Sequence, residues 1–201
     1  TDNHVYSKEM EHDACGVGVI ASTEGKKSRE IVEYGIEALK AVWHRGAVDA
    51  DGKTGDGAGI HVEIPKDFFI EKIEVTGHDY DNSEICVGMI FLPRNDYSSQ
   101  ESCKTIVESE LTKNNFSIYG WRQVPVNPKI LGEKAFQTMP EIIQVLFKPN
   151  DSNLIDKDLE RKIYETRRKI ENEAFKKSLN NFYICSLSSK SIIYKGMFLA
   201  E

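Results

Sequence analysis

From Ile85 to Leu92 the chain runs Ile-Cys-Val-Gly-Met-Ile-Phe-Leu, without one charged or strongly polar side chain, between Glu84 and Pro93. A run this short with proline at its end suits a strand better than a helix, and one offering no position to water suits a buried strand. A buried strand needs other layers packed over it, which points to a layered sheet core. Other segments agree. Cys15 to Ala21 reads as a short apolar strand, Ile60 to Ile64 as an alternating strand stopped by Pro65, and Phe116 to Val126 and Ile142 to Lys148 as strands punctuated by Pro140 and Pro149. Phe182 to Leu187 and Ser191 to Tyr194 look like a hairpin across Ser188-Ser189-Lys190. Helical stripes occupy Ser28 to Trp43, with Ser28 as N-cap, then Ser99 to Lys113 and Asp156 to Leu179. His44 to Gly59, rich in Gly and Asp, reads as loop. The expected fold class is α+β.

The 201 residues suffice for one large domain, and 40% hydrophobic residues can build a core. A net charge of −6 and a sequence pI near 5.5 argue against a nucleic-acid binder held by a basic patch. No apolar run approaches the ~20 residues of a membrane-spanning helix, so no membrane partner is expected. Thr1 to Asp13 is polar and acidic, unlike a signal peptide. Cysteines stand at 15, 86, 103 and 185 with no CxxC pair, which speaks against a disulfide framework or zinc site and for a reducing cytoplasm. The five histidines lack metal-ligand spacing, and no metal is expected.

Three motif-like stretches dissolve on inspection. Gly46 to Thr54 resembles a phosphate-binding loop, but it places five residues between its glycines instead of four and follows a helix instead of a strand. Gly16-Val-Gly18-Val-Ile-Ala21 fits a permissive dinucleotide pattern, yet its glycines lie within the expected strand when they should follow one. Asp49, Asp51 and Asp56 make half a calcium loop, with Lys53 in a ligand position and no glutamate at its end, so they read as a solvated turn.

What remains is Asp13-Ala14-Cys15-Gly16-Val17-Gly18, then His44-Arg45-Gly46-Ala47, then Thr54-Gly55-Asp56-Gly57-Ala58-Gly59. Singly, each has a plain structural reading: a core cysteine, a helix end closed by basic residues and glycine, a tight loop. As a set they closely resemble the glutaminase domain of glutamate synthase large subunits. That is a class II glutamine amidotransferase of the N-terminal-nucleophile hydrolase kind. The resemblance continues through Val87 to Leu92, Gly120-Trp121-Arg122, Val124-Pro125, Leu131-Gly132, Arg167 to Glu171, Phe182 to Ser188 and Ile193 to Gly196, from Glu11 to the end.

The resemblance implies an αββα layered sandwich, truncated here at its C-terminal side. Residues 1–14 would be a propeptide or lead-in, and residues 15–201 the N-terminal part of the amidotransferase domain. Cys15 becomes the first residue of the mature enzyme and the nucleophile, with its own α-amino group as general base. While Ala14 is attached that nitrogen is an amide and not basic. Arg45 is expected beside the nucleophile, Gly16 and Gly18 where the backbone passes close to the substrate, and Asp56 and Gly57 in the neighbourhood of the site. Arg122 and Tyr183 read as scaffold. L-glutamine would be the substrate, with the ammonia used on 2-oxoglutarate elsewhere in the parent enzyme. The implied partners are the rest of the large subunit and an electron-donating small subunit. No cofactor is implied for this segment, whereas FMN and an iron–sulfur cluster are implied for the parent. The family also has an Arg-Phe-Ser-Thr motif for the substrate carboxylate and an Asn-Gly-Glu motif for the oxyanion. Neither Arg-Phe nor Asn-Gly occurs in this sequence, which implies that the chain alone is inactive. Two alternatives stand beside this reading: a non-catalytic binding domain of the same fold, and a cysteine hydrolase pairing its thiol with His44 or His61.

Overall fold

Ser28 opens the first element: its hydroxyl accepts from Ile31 N at 3.3 Å and caps α1 (Arg29–Ala41), as expected of an N-cap serine. The computed structural model describes residues 16–42, 46–197 and 199. After α1 come β1 (Ala58–Glu63), α2 (Lys66–Val75), β2 (Cys86–Leu92), α3 (Tyr97–Lys113) and β3 (Phe116–Gln123). A single 3-10 turn, Pro128–Ile130, precedes α4 (Glu133–Thr138), β4 (Glu141–Pro149), α5 (Asp156–Lys176), β5 (Tyr183–Ser188) and β6 (Ser191–Gly196). The result is mixed helix and sheet, with every described strand pair antiparallel.

Four strands form one sheet in the order β3-β4-β2-β5, and β1 pairs with β6 in a second. The apolar run lies where its composition demands, with β2 between β4 and β5 and buried at all but one position. Alternation along these strands feeds two cores. Ile90, Leu92, Val145, Phe147, Ile184 and Leu187 meet Cys103, Leu111, Leu159, Ile163 and Ile170 of α3 and α5 on one face. On the other face Val87, Met89, Leu146 and Cys185 meet Phe69 and Ile73 of α2 and Ile192 of β6.

Local chemistry sets the boundaries. Asp96 starts α3 by accepting from Ser99 N at 3.0 Å and Ser99 Oγ at 2.6 Å. Ser178, at φ 56°, ends α5, and Leu179 N then bonds back to Ala174 O at 3.0 Å. Pro125 has no N–H to donate, so the β3–β4 ladder stops near Val124, short of Val126.

Two expectations fail. Residues 16–21 form no strand, and Val17 and Val19 are 90% and 86% exposed. A strand exists only by pairing, and no described strand lies alongside; Cys15 itself is outside the described residues. β5 and β6 are not a hairpin either: β5 joins β2 and β6 joins β1. They meet through side chains, Ile193 N donating to Ser186 Oγ at 3.2 Å and the Cys185 thiol to Ile193 O at 3.6 Å. The connection is a corner between two sheets.

Candidate functional site

Cys15, His44 and Arg45 lie outside the described residues. Gly16 and Gly18 belong to the exposed segment ahead of α1, and a methyl group at Gly18 would meet nothing within 4 Å. Asp56 and Gly57 lie on a small hairpin that begins just after Arg45.

That hairpin is held by its own backbone hydrogen bonds. Val48 and Gly55 form an antiparallel bridge, Asp49 N donates to Thr54 O at 2.8 Å, and Asp56 N donates to Ala47 O at 3.2 Å. The chain turns at Gly52, whose N–H reaches Asp49 O at 2.9 Å. Gly57, at φ +124°, then delivers the chain into β1, with Gly196 O 3.5 Å from where a Cβ would stand. Few residues other than glycine adopt that φ, which explains the Gly in the Asp-Gly-Ala step.

The tip is pinned by groups some eighty residues further along. Asp51 Oδ1 accepts from Lys53 N at 2.9 Å and Thr54 N at 2.7 Å, and its Oδ2 accepts from Thr54 Oγ1 at 2.6 Å. Thr54, only 2% exposed, in turn accepts from Ala135 N of α4 at 3.4 Å. Lys134 Nζ donates to Asp49 Oδ2 at 2.6 Å. Gly132 makes this approach possible, since a Cβ there would fall 2.2 Å from Asp51 Oδ2 and 2.3 Å from Thr54 Oγ1. The Thr54 bonds, above all, pull the Asp51 carboxyl down to about 2, and Lys134 holds Asp49 below the usual range. The expected solvated turn is therefore an anchored one. Asp51-Gly-Lys-Thr54 has the spacing of a side-chain-capped turn, a signal the sequence carries, but nothing in it announces α4 as the partner.

The other cysteines have no such outlook. Cys86, Cys103 and Cys185 are free and buried. Burial raises all three thiols: Cys86 well above its ordinary value, Cys103 to about 11, and Cys185 upward. They do not converge on one point, as an iron–sulfur cluster requires, because Cys86 and Cys103 belong to one core and Cys185 to the other. Among the described residues no group of three or more His, Cys, Asp or Glu is placed to hold a metal ion. His61 is exposed on β1, opposite Ile193. Arg122 donates to the buried Gln144 at 2.8 Å, and Tyr183 accepts from Lys195 at 2.9 Å. A cleft of about 550 Å³, bordered by Arg94, Gln100, Lys104 and Glu141, does not include the hairpin. No helix among the described residues is long and apolar enough to cross a membrane.

Comparison with known proteins gives this geometry a context. The model of the family described as glutamine amidotransferases class-II matches residues 15–201. The chain is 55% identical over 201 residues to the glutamate synthase [NADPH] large chain of Azospirillum brasilense, covering 100% of this chain and 13% of that protein. It is 40% identical over 193 residues to ferredoxin-dependent glutamate synthase 1, chloroplastic/mitochondrial, of Arabidopsis thaliana, and 41% over 195 residues to ferredoxin-dependent glutamate synthase of Pyropia yezoensis. Both alignments take in 95% of this chain and 12% of the relative. The chain thus spans about an eighth of the length of these relatives.

Proposed function

The chain belongs to the class-II glutamine amidotransferases, and from that premise we propose that it is the glutaminase part of a glutamate synthase-type enzyme, hydrolysing L-glutamine to glutamate and ammonia with Cys15 as N-terminal nucleophile. The observation that carries this reading is that the family match opens at residue 15, which is Cys15 itself. The burial of the other three cysteines supports it, because a buried high-pKa thiol is inert.

Removal of residues 1–14 frees the α-amino group of Cys15, which takes the thiol proton as sulfur attacks the glutamine side-chain amide. A tetrahedral oxyanion forms, the proton passes to the leaving nitrogen, and ammonia departs from a glutamyl thioester. Water then cleaves the thioester, giving glutamate and restoring the thiol. Arg45 favours the anionic sulfur, and Gly16 and Gly18 leave the backbone open to substrate. Asp56 and Gly57 support the site from the hairpin that follows Arg45. The fold is taken to be the αββα sandwich of N-terminal-nucleophile hydrolases. Its support is the order α3 and α5, four-stranded sheet, two-stranded sheet; a helical layer beginning with α1 is what the assignment adds.

In this reading the ammonia is used on 2-oxoglutarate in the remainder of the large subunit. FMN and an iron–sulfur cluster would be held there too. An electron-donating small subunit is a further partner. A reducing compartment, for which we propose the cytoplasm, suits three buried free thiols.

The test is the intact mass of the purified enzyme before and after treatment with a diazo-ketone analogue of L-glutamine, with the adduct mapped by proteolysis. The expected result is a chain starting at Cys15 that gains one adduct on that residue. Cys15→Ser should take up none and show no glutamine turnover. Undiminished turnover by Cys15→Ser would overturn the assignment.

A further inference from the structure

Resting on the glutaminase reading above, we propose that Asp51, Thr54, Gly132 and Lys134 form a clamp whose task is to position the 47–56 hairpin, and with it Asp56, for reaction at Cys15. The hairpin has two attachments. Its base is closed by Asp56 N to Ala47 O at 3.2 Å and runs through Gly57 into β1. At the tip, α4 takes hold: Thr54 Oγ1 donates to Asp51 Oδ2 at 2.6 Å and accepts from Ala135 N at 3.4 Å, while Lys134 Nζ reaches Asp49 Oδ2 at 2.6 Å. The single hydroxyl of Thr54 is thus both donor and acceptor, and the pair of bonds fixes its rotamer.

The position of the clamp gives it leverage. Asp56 lies across from Ala47 at the base of the hairpin, so a tilt of the tip moves this candidate site residue with it. A turn with no role beyond its own fold would be capped by Asp51 alone, which already satisfies Lys53 N and Thr54 N. The extra bonds to α4, and a glycine at 132 that admits the carboxylate where any Cβ would collide, make the orientation of the turn depend on a distant element. Displacement of a reacting geometry by even ~1 Å can cost up to ~100-fold in rate. These four are positioning residues: they act through Asp56.

The experiment uses the intact enzyme and three variants, Thr54→Val, Thr54→Ser and Lys134→Ala. Sites are counted by labelling with the diazo-ketone analogue of L-glutamine, and glutamine hydrolysis is expressed per labelled site. Thr54→Val keeps the shape and loses both hydrogen bonds. It should label to the same stoichiometry as the parent while its kcat per site and its labelling rate constant fall about tenfold, with Thr54→Ser restoring most of both. A merely structural role predicts fewer labelled sites, each turning over at the parental rate, and that outcome overturns the clamp. Should Thr54→Val fail to fold, Lys134→Ala decides, because its side chain is 69% exposed and exposed ion pairs contribute little to stability. A fall of about threefold per site supports the clamp, and an unchanged rate overturns it. If the parent enzyme labels at a residue other than Cys15, the glutaminase reading itself has failed. If the parent labels at Cys15 and the variants match it per site, the clamp alone has failed.

Discussion

Asp51 shows how much one exposed carboxylate can organise when its acceptors are all used. The hydroxyl and amide of Thr54 and the amide of Lys53 favour its charged form and bring its carboxyl down to about 2. An unfolded aspartate titrates near ~3.9, so the folded state binds the proton more weakly. The sign follows: the contribution is complete above about pH 4, shrinks as pH falls, and is gone once pH passes below about 2. Urea unfolding of wild type and Asp51→Asn at pH 7, 4, 3 and 2 should show a stability gap that is constant down to about pH 4 and then closes. A gap that widens towards acid would contradict the assignment. Asp81 lies under the same influence from Lys148, Ser83 and Tyr119, so a general loss of stability in this acid range has a second source.

Among the elements, the corner between β5 and β6 is held by a residue of neither strand. Glu160 of α5 accepts from Ser188 Oγ at 2.9 Å, Ser189 Oγ at 2.7 Å and Ser189 N at 2.6 Å, and both serines are nearly buried. Glu160→Ala should cost about 2–3 kcal/mol in urea unfolding with an unchanged m-value, because it strands those donors. This corner also marks where sequence reading stops. Ser-Ser-Lys between two apolar runs is what a hairpin looks like locally, and only registers set by β1 and β2 direct the two strands into different sheets. The apolar run of β2 and the stripes of α3 and α5 are legible because burial repeats within one element, and that of α1 because its apolar side is half-buried. α2, with Phe68, Phe69 and Ile70 in succession, and the six-residue α4 show no clear stripe, and neither is expected from the pattern. Val17 to Ile20 has the composition of a strand without a described partner. Of the candidate site, the sequence offers the Asp-Gly-Ala step within a tight loop, whereas the hairpin and its attachment to α4 depend on pairing and on Gly132 and Ala135, too distant for any local pattern to reveal.

For the whole molecule, the two cores are faces of the same strands. Val87 and Ile90 of β2, Leu146 and Val145 of β4, and Cys185 and Ile184 of β5 look into opposite clusters. Loosening either core therefore loosens the shared sheet. Phe69→Ala should cost about 3–5 kcal/mol and Leu159→Ala about 2–5 kcal/mol, both fully buried positions on opposite sides. Each should shift one cooperative transition, seen at the same midpoint by far-ultraviolet circular dichroism and tryptophan fluorescence. Two separated transitions in either variant would show that the cores melt independently.

The pairing of β1 with β6 also sets a timetable for the newborn chain. β1 ends at Glu63, and its partner strand begins only at Ser191. At ribosomal speeds of ~5–20 residues per second, β1 emerges on the order of ten seconds before β6, its partner among the described strands, can pair with it. Through that interval it presents an open strand edge to its surroundings, so yield in the cell depends on how well that edge is sheltered during synthesis.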